Sequence, residues 1–521
     1  MWKKEEISGI VREIHFNRDV KVYKERPKTI PDMFLQTVKR YPKREALVKG
    51  DIRLSYEEIW SRSETIAANL YQRFHIKKGT RVALLMGNSI EFSLLFLACA
   101  KLGAIVVPLN TRLAKKEITY MMEQSGSALM FLEEEFRTKA EGISVPKLLI
   151  DISDPKFLSF DQLMINGASY PKPVINEDDP LYVMYTSGTT GVPKGAIGTH
   201  IGVIHSVISY QRIFKTNDHD RSLNAVPLFH VTGLVGQLLH MVYVGGTNIL
   251  MHRYKAELFN KLLAEENITF TFNVPTIYVM MMAHASFKKY NYDHVRILAY
   301  GGAPMSTQTI YQLKKEFPNA ELHNAYGATE TSSPTTVMPK GYQEKKLTSI
   351  GMPIPVIEVK IMGEDGPCNV KEVGELYIKG PNIVPSYWKN DQATKNSFVD
   401  GYWCSGDLAM MDEDGFIYIM DRMKEMINRG GEKIFSIEVE NILYNHPGIL
   451  EAAVVGVPDE VFGERIKAVI VPKENISLTE EEVKMFVRNH LADYKTPEII
   501  EFTEQLPRNP GGKIVKSLLS K

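Results

Sequence analysis

Residues 185–195 read YTSGTTGVPKG, with three glycines, four Ser/Thr hydroxyls and one lysine in eleven positions. The apolar run before it, 181–185 (LYVMY), reads as a short buried strand. A strand that empties into a Gly/Ser/Thr-rich loop brings backbone N–H groups close to a bound anion. Glycine lets the main chain approach the ligand and adopt conformations that a side chain forbids. Thr186, Ser187, Thr189 and Thr190 add hydroxyl donors between and beside Gly188 and Gly191, and Lys194 adds a positive charge. By composition this is a cradle for a polyphosphate. It is not a Walker A loop, because no Gly-Lys-Ser/Thr closes it. The plainer alternative, a flexible surface turn, does not account for so dense a run of Gly and Thr behind a buried strand.

The chain has 521 residues, so several domains are expected, and 44% hydrophobic content can fill large cores. Lys plus Arg and Asp plus Glu balance at 62 each, which leaves no chain-wide footprint for nucleic acid or an anionic membrane. Cys99, Cys368 and Cys404 lie far apart, which suggests a reduced compartment, the cytoplasm, and excludes a disulfide framework. No CxxC pair or HExxH helix suggests zinc. The first residues, MWKKEEISGIVREIHF, lack the apolar run of a signal peptide. The most apolar window, 92–109, is broken by Lys101 and Gly103 and reads as a buried helix turning into a strand, not a membrane span.

Along the chain, 31–41 and 55–73 read as amphipathic helices, the second N-capped by Ser55. Residues 81–85 read as a strand, 91–102 as a helix and 104–107 as a strand. Further strands are expected at 127–132, 181–185, 223–226, 247–251, 269–273 and 296–300. Such alternation argues for parallel sheets covered by helices. From about 350, short segments between Gly, Asp and Pro suggest an antiparallel β-subdomain. After Asp421-Arg422-Met423-Lys424 the pattern becomes helix, strand, strand, helix, as expected of a small α+β domain.

The loop at 185–195 resembles the phosphate-binding signature of the adenylate-forming enzymes: acyl-CoA synthetases, adenylation domains and luciferases. The likeness continues in order. NAYGATET (324–331) is similar to the second signature, SGDLA (405–409) to the ribose signature, DRMKEMINRGGEKI (421–434) to the hinge and PRNPGGKIVK (507–516) to the C-terminal lysine motif. YGGAP (300–304) and PLFHVTG (227–233) resemble the adenine turn and an acyl-pocket element. The resemblance implies an α/β fold: a large N-terminal domain of stacked sheets (1–423, β-subdomain about 350–423) and a small mobile α+β lid (424–521). It implies ATP, Mg2+ and coenzyme A as cofactor and co-substrates.

It also implies roles. Glu330, with Thr186, would hold magnesium; Thr329 would reach the α-phosphate; Lys513 would be the adenylation lysine. Ser187, Gly188, Thr189, Thr190, Gly191 and Lys194 would cradle phosphates. Gly301, Gly302, Ala303, Asn324, Ala325, Tyr326 and Gly327 would enclose adenine. Asp407 suits two vicinal ribose hydroxyls; Arg422 would contact ribose or phosphate. Lys424 falls at the hinge and Gly431 beside the pantetheine tunnel. His230 would stand near the acyl carboxylate, with Val231, Thr232, Leu234, Val274, Tyr300, Ala325 and Ser332 lining the acyl pocket. Val192, Ser405 and Asn428 depart from commoner family residues, and no catalytic role is assigned to Asn428.

These pocket residues are largely apolar, with no Arg or Lys to pair a second carboxylate. They favour a medium- or long-chain fatty acid, with an aromatic acid or succinylbenzoate as alternative. A carrier-protein-loading enzyme and an inactive nucleotide-binding scaffold are the rival readings. A homodimer stays open.

Overall fold

The computed structural model describes residues 2–152, 158–186, 192–474, 476–508 and 514–520. Among these residues the strands form five sheets. A seven-stranded sheet runs in the order Lys194–Thr199, Pro180–Thr186, Ile105–Pro108, Arg81–Leu85, Leu129–Leu132, Lys147–Leu149, Leu158–Ser159. It is parallel except at Lys194–Thr199, which turns back antiparallel on Pro180–Thr186. A nine-stranded sheet has a parallel centre, Glu321–Tyr326, Ile297–Gly301, Phe270–Asn273, Arg221–Asn224, Thr247–Leu250 and Glu45–Lys49, with antiparallel strands at both edges. The expected alternation of strand and helix is therefore present, and so is the antiparallel sheet of Glu358–Gly363, Gly374–Lys379, Tyr402–Met411 and Ile417–Arg422. The last sheet joins Ile449–Asp459, Gly463–Pro472 and Ile499–Phe502 under the helices Ser436–Tyr444 and Glu480–Arg488. The whole is a mixed α/β fold with a large N-terminal and a small C-terminal domain.

Local chemistry explains the helices. Tyr56–Phe74 starts at a capping box in which the Ser55 hydroxyl accepts from Glu58 N–H and the Glu58 carboxylate accepts from Ser55 N–H. Ile90–Leu102 is buried on nearly every side and stops at Gly103, whose φ is +64°. It is the apolar window of the sequence, and no described helix is long and apolar enough to cross a membrane.

Among the elements outside the sequence reading are a hairpin and a π-helix. Ile10–His15 and Arg18–Tyr23 form a hairpin whose turn residues, Phe16 and Asn17, both have positive φ. A turn without glycine leaves little trace in sequence. Thr232–Leu239 is a π-helix, entered where Gly233 packs against the Pro227 carbonyl: a Cβ there would lie 2.4 Å from that oxygen.

Three buried histidines lock the helix His200–Phe214 and its neighbours. His205 Nδ1–H donates to Ile201 O (2.9 Å) while Nε2 accepts from Tyr23 N–H (3.1 Å), which fixes the neutral form. Burial holds its pKa down at about 3, and those of His200 and His240 at about 4. Unfolded imidazoles titrate near about 6.5. Below that pH the unfolded chain binds protons that the folded chain refuses, so stability present above about 6.5 is lost as pH falls towards 4. The thermal midpoint is expected to decline steadily across this window in scanning calorimetry; a flat profile would contradict the neutral assignment.

Candidate active site

The return strand Lys194–Thr199 sets Thr186 directly opposite Lys194 in the ladder. The expected cradle residues Ser187, Gly188, Thr189, Thr190 and Gly191 lie between them, outside the described residues. Thr186 Oγ1 donates to Glu330 Oε1 at 3.3 Å, so the first and second signature loops meet across 144 positions of sequence.

Glu330 sits in the short turn Thr329–Thr331, buried at 8% exposure. The loop around it is tightly built. Ser332 and Ser333 both have positive φ (48° and 105°), a costly conformation away from glycine. Gly327 is required beside them, because a Cβ would lie 1.5 Å from Ser333 O. Asn382 Nδ2 donates to Thr331 O (2.8 Å) and Pro334 O (2.7 Å), and Val384 N–H to Glu330 O (2.9 Å). Tyr387 OH donates to Glu330 Oε1 at 3.0 Å. Asn382 and Tyr387 escaped the sequence reading; the only sequence signal is a Gly-Pro-Asn followed by Tyr-Trp in the β-subdomain.

On the other wall, Asp407 is buried and its Oδ1 pairs with Arg422 Nε at 2.6 Å. Its Oδ2 accepts from Tyr326 OH. Burial first, then the Asp407 charge, raises the Tyr326 phenol well above its ordinary pKa, so it stays a donor. Tyr326 was expected beside adenine; its bond to Asp407 also fixes its hydroxyl. Asn324 Nδ2 donates to Ser349 O at 3.0 Å. At the end of the strand Ile297–Gly301, Gly301 faces the Ala325 carbonyl, and Gly302 (φ +78°) and Ala303 are exposed.

Of the expected pocket residues, His230 is half-buried at the π-helix entrance with its ring 4.9 Å from that of Phe229, and Val231 and Leu234 are buried. Thr232 is half-buried. Tyr300 has a packing role that the sequence did not suggest. It is 1% exposed, its ring lies in the cluster with Tyr278, Ile310 and Leu313, and its OH accepts from Gln343 Nε2 at 2.9 Å. Ser332 is likewise buried, its carbonyl accepting from Ser206 Oγ at 2.9 Å.

Lys424 and Gly431 are exposed; Gly431 has φ +95° and its N–H donates to Asn428 Oδ1 at 3.1 Å. Lys513 lies outside the described residues. The chain on either side of it is held by the Arg508–Ile514 bridge and by Val515 N–H to Pro507 O (2.8 Å). Lys516 Nζ reaches Ser436 Oγ (2.6 Å) and Glu440 (2.8 Å), while Ser436 N–H and Oγ–H both donate to buried Asp421 (2.5 and 3.0 Å).

Comparison with known proteins gives the family. The AMP-binding enzyme model matches residues 34–388, and the AMP-binding enzyme C-terminal domain model matches 438–513. The fold and site thus define an acid–thiol ligase of the adenylate-forming class. The chain belongs to the AMP-binding enzyme family and is an ATP-dependent acyl-CoA ligase. It is 33% identical over 500 residues to a long-chain-fatty-acid–CoA ligase of Mycobacterium tuberculosis, covering 94% of this chain and 98% of that one. It is 33% identical over 492 residues to a 2-succinylbenzoate–CoA ligase of Bacillus licheniformis, covering 94% and 99%. Among solved structures, O-succinylbenzoate coenzyme A synthetase from Bacillus subtilis in complex with ATP and magnesium ion matches with a TM-score of 0.83 and 30% identity, covering 94% and 99%.

A Cβ at Gly301 would meet Ala325 O at 2.1 Å, a backbone atom that cannot swing away. Gly301→Ala is therefore expected to cost about 1–3 kcal/mol, the range for overpacking, and to lower the thermal midpoint. Ala303→Ser, at an exposed position two residues on, should leave the midpoint unchanged.

Proposed function

We propose that the chain activates a medium- or long-chain fatty acid as its acyl-adenylate and transfers the acyl group to coenzyme A. In the first half-reaction a carboxylate oxygen attacks the α-phosphorus of ATP and pyrophosphate leaves. In the second, the thiol sulfur of coenzyme A attacks the acyl carbonyl carbon and AMP leaves. The observation that carries the reading is the Thr186–Glu330 contact at 3.3 Å, which joins the two signature loops at a buried carboxylate.

The first step brings two anions together, so the site must supply donors and positive charge that strengthen as the transition state forms. Lys194, the cradle residues 187–191, Thr329 and Lys513 are assigned to that task. Glu330 and Thr186 are the ligands assigned to magnesium. A buried carboxylate beside a hydroxyl is a set of hard oxygen donors, which suits that ion, and the ion would neutralise phosphate charge. Asp407, with one oxygen to Tyr326 and the other to Arg422, is assigned to the ribose. Gly301, Gly302, Ala303, Asn324, Ala325, Tyr326 and Gly327 are assigned to the adenine side. His230, Val231, Thr232, Tyr300, Ala325 and Ser332 are assigned to the acyl group, the packing of Tyr300 and Ser332 making them the wall behind it. We assign residues 1–423 and 424–521 to two domains that turn about Lys424 between the half-reactions, bringing Gly431 to the pantetheine arm. The three free thiols support a cytoplasmic setting.

The apolar character of the pocket residues, without Lys or Arg, supports a fatty acid over a dicarboxylate. Relatives that act on succinylbenzoate keep an aryl acid as the alternative. Each methylene gains only about 0.8 kcal/mol, so a broad chain-length profile is expected. A screen of the purified enzyme over fatty acids of increasing length, cinnamates and succinylbenzoate, with free coenzyme A and with holo-carrier protein, tests this. Strong preference for succinylbenzoate would overturn the fatty-acid assignment, and transfer only to carrier protein would overturn the acceptor. Absence of carboxylate-dependent pyrophosphate exchange into ATP would favour the inactive scaffold.

Lys513→Ala should lose about 3 kcal/mol or more of transition-state stabilisation in adenylation, by analogy with a lost oxyanion donor. Transfer from preformed acyl-adenylate should change far less. Equal loss in both half-reactions would count against the assignment.

A further inference from the structure

We propose that Tyr387 is a positioning residue that fixes which oxygen of Glu330 is presented to the divalent cation accompanying ATP. The proposal rests on the reading of Glu330 as that cation's ligand. Both hydroxyl donors on the carboxylate converge on the same atom: Tyr387 OH (3.0 Å) and Thr186 Oγ1 (3.3 Å) each bond Oε1. Among the described residues Oε2 takes no hydrogen bond. A carboxylate held this way is locked about its terminal torsion, with one oxygen engaged and the other left to face a cation.

Tyr387 is itself rigidly mounted. Its N–H donates to Thr394 Oγ1 (3.0 Å), and its backbone bridges Ala196. The next residue's N–H, of Trp388, donates to Gly195 O (2.7 Å). Its ring, 5% exposed, packs in a small apolar cluster with Ala196, Val384 and Ala393, and Lys194 Nζ lies 5.3 Å from the ring centroid. One side chain thus ties together the return strand of the phosphate loop, the loop's lysine and the Glu330 carboxylate.

The discriminating variant is Tyr387→Phe, which keeps the ring and removes one hydroxyl. Mn2+ serves as the probe, its free concentration read by electron paramagnetic resonance in titrations of the full-length protein with ATP. Tyr387→Phe should weaken Mn2+ affinity about tenfold in the presence of ATP and leave AMP affinity unchanged. Pyrophosphate exchange should fall at low Mg2+ and recover as Mg2+ is raised. Glu330→Gln should weaken Mn2+ binding at least as much, and Tyr387→Phe added to it should bring no further loss. If Glu330→Gln weakens Mn2+ binding but Tyr387→Phe does not, the positioning role is overturned while the reading of Glu330 stands. If Glu330→Gln binds Mn2+ like the parent, that reading itself fails. If Tyr387→Phe loses AMP affinity as well, or Mg2+ restores nothing, the hydroxyl is structural and the proposal is wrong.

Discussion

The site depends on keeping one carboxylate, that of Glu330, out of water yet aimed. Burying a charge is expensive unless hydrogen bonds replace its solvation. Here the replacement comes from two separate parts of the chain, Thr186 at the end of a seven-stranded sheet and Tyr387 from the antiparallel sheet region, while the turn Thr329–Thr331 beyond the nine-stranded sheet carries the carboxylate itself. The carboxylate gains both bonds only when all three parts have come together. The carboxylate is therefore also a point at which the two large sheets and the β-subdomain are brought into register.

Asp407 repeats this logic on the opposite wall. Its two oxygens are matched to one phenol and one guanidinium, and Gly406 N–H is held by Glu375 Oε1 at 2.9 Å. Beyond it, Asp421 passes the same kind of bonding to Ser436 at the head of a helix, and Ser436 to Lys516 in the terminal segment. A path of paired polar groups thus runs from Asp407 and Arg422 through Asp421 and Ser436 to Lys516. Glu440, half-buried and with its pKa raised by that burial, has Lys516 as its partner.

Much of this was legible in sequence where the signal is local. The strand at 181–185 announced itself by its apolar run, the helix from 56 by Ser55, and the glycine-rich loops by composition. The ordered series of five motifs gave the family and, through it, the candidate site residues. What stayed hidden is what distance in sequence hides. Tyr387 bonds Glu330 across 57 positions, and Asp421 bonds Ser436 across 15. The return strand Lys194–Thr199 (KGAIGT) lacks the β-branched alternation that marks strands. Tyr300 illustrates the converse: a motif supplied its position on the strand but not which face its ring takes.

The paired left-handed residues Ser332 and Ser333, braced by Asn382 and by the bare Cα of Gly327, have a consequence for recognition. A loop forced into so rare a shape by its surroundings has already given up its conformational freedom when the protein folds. On the proposed reading, a substrate arriving there would meet a frame that is set in advance, and the entropy of ordering that wall would not be subtracted again at each encounter.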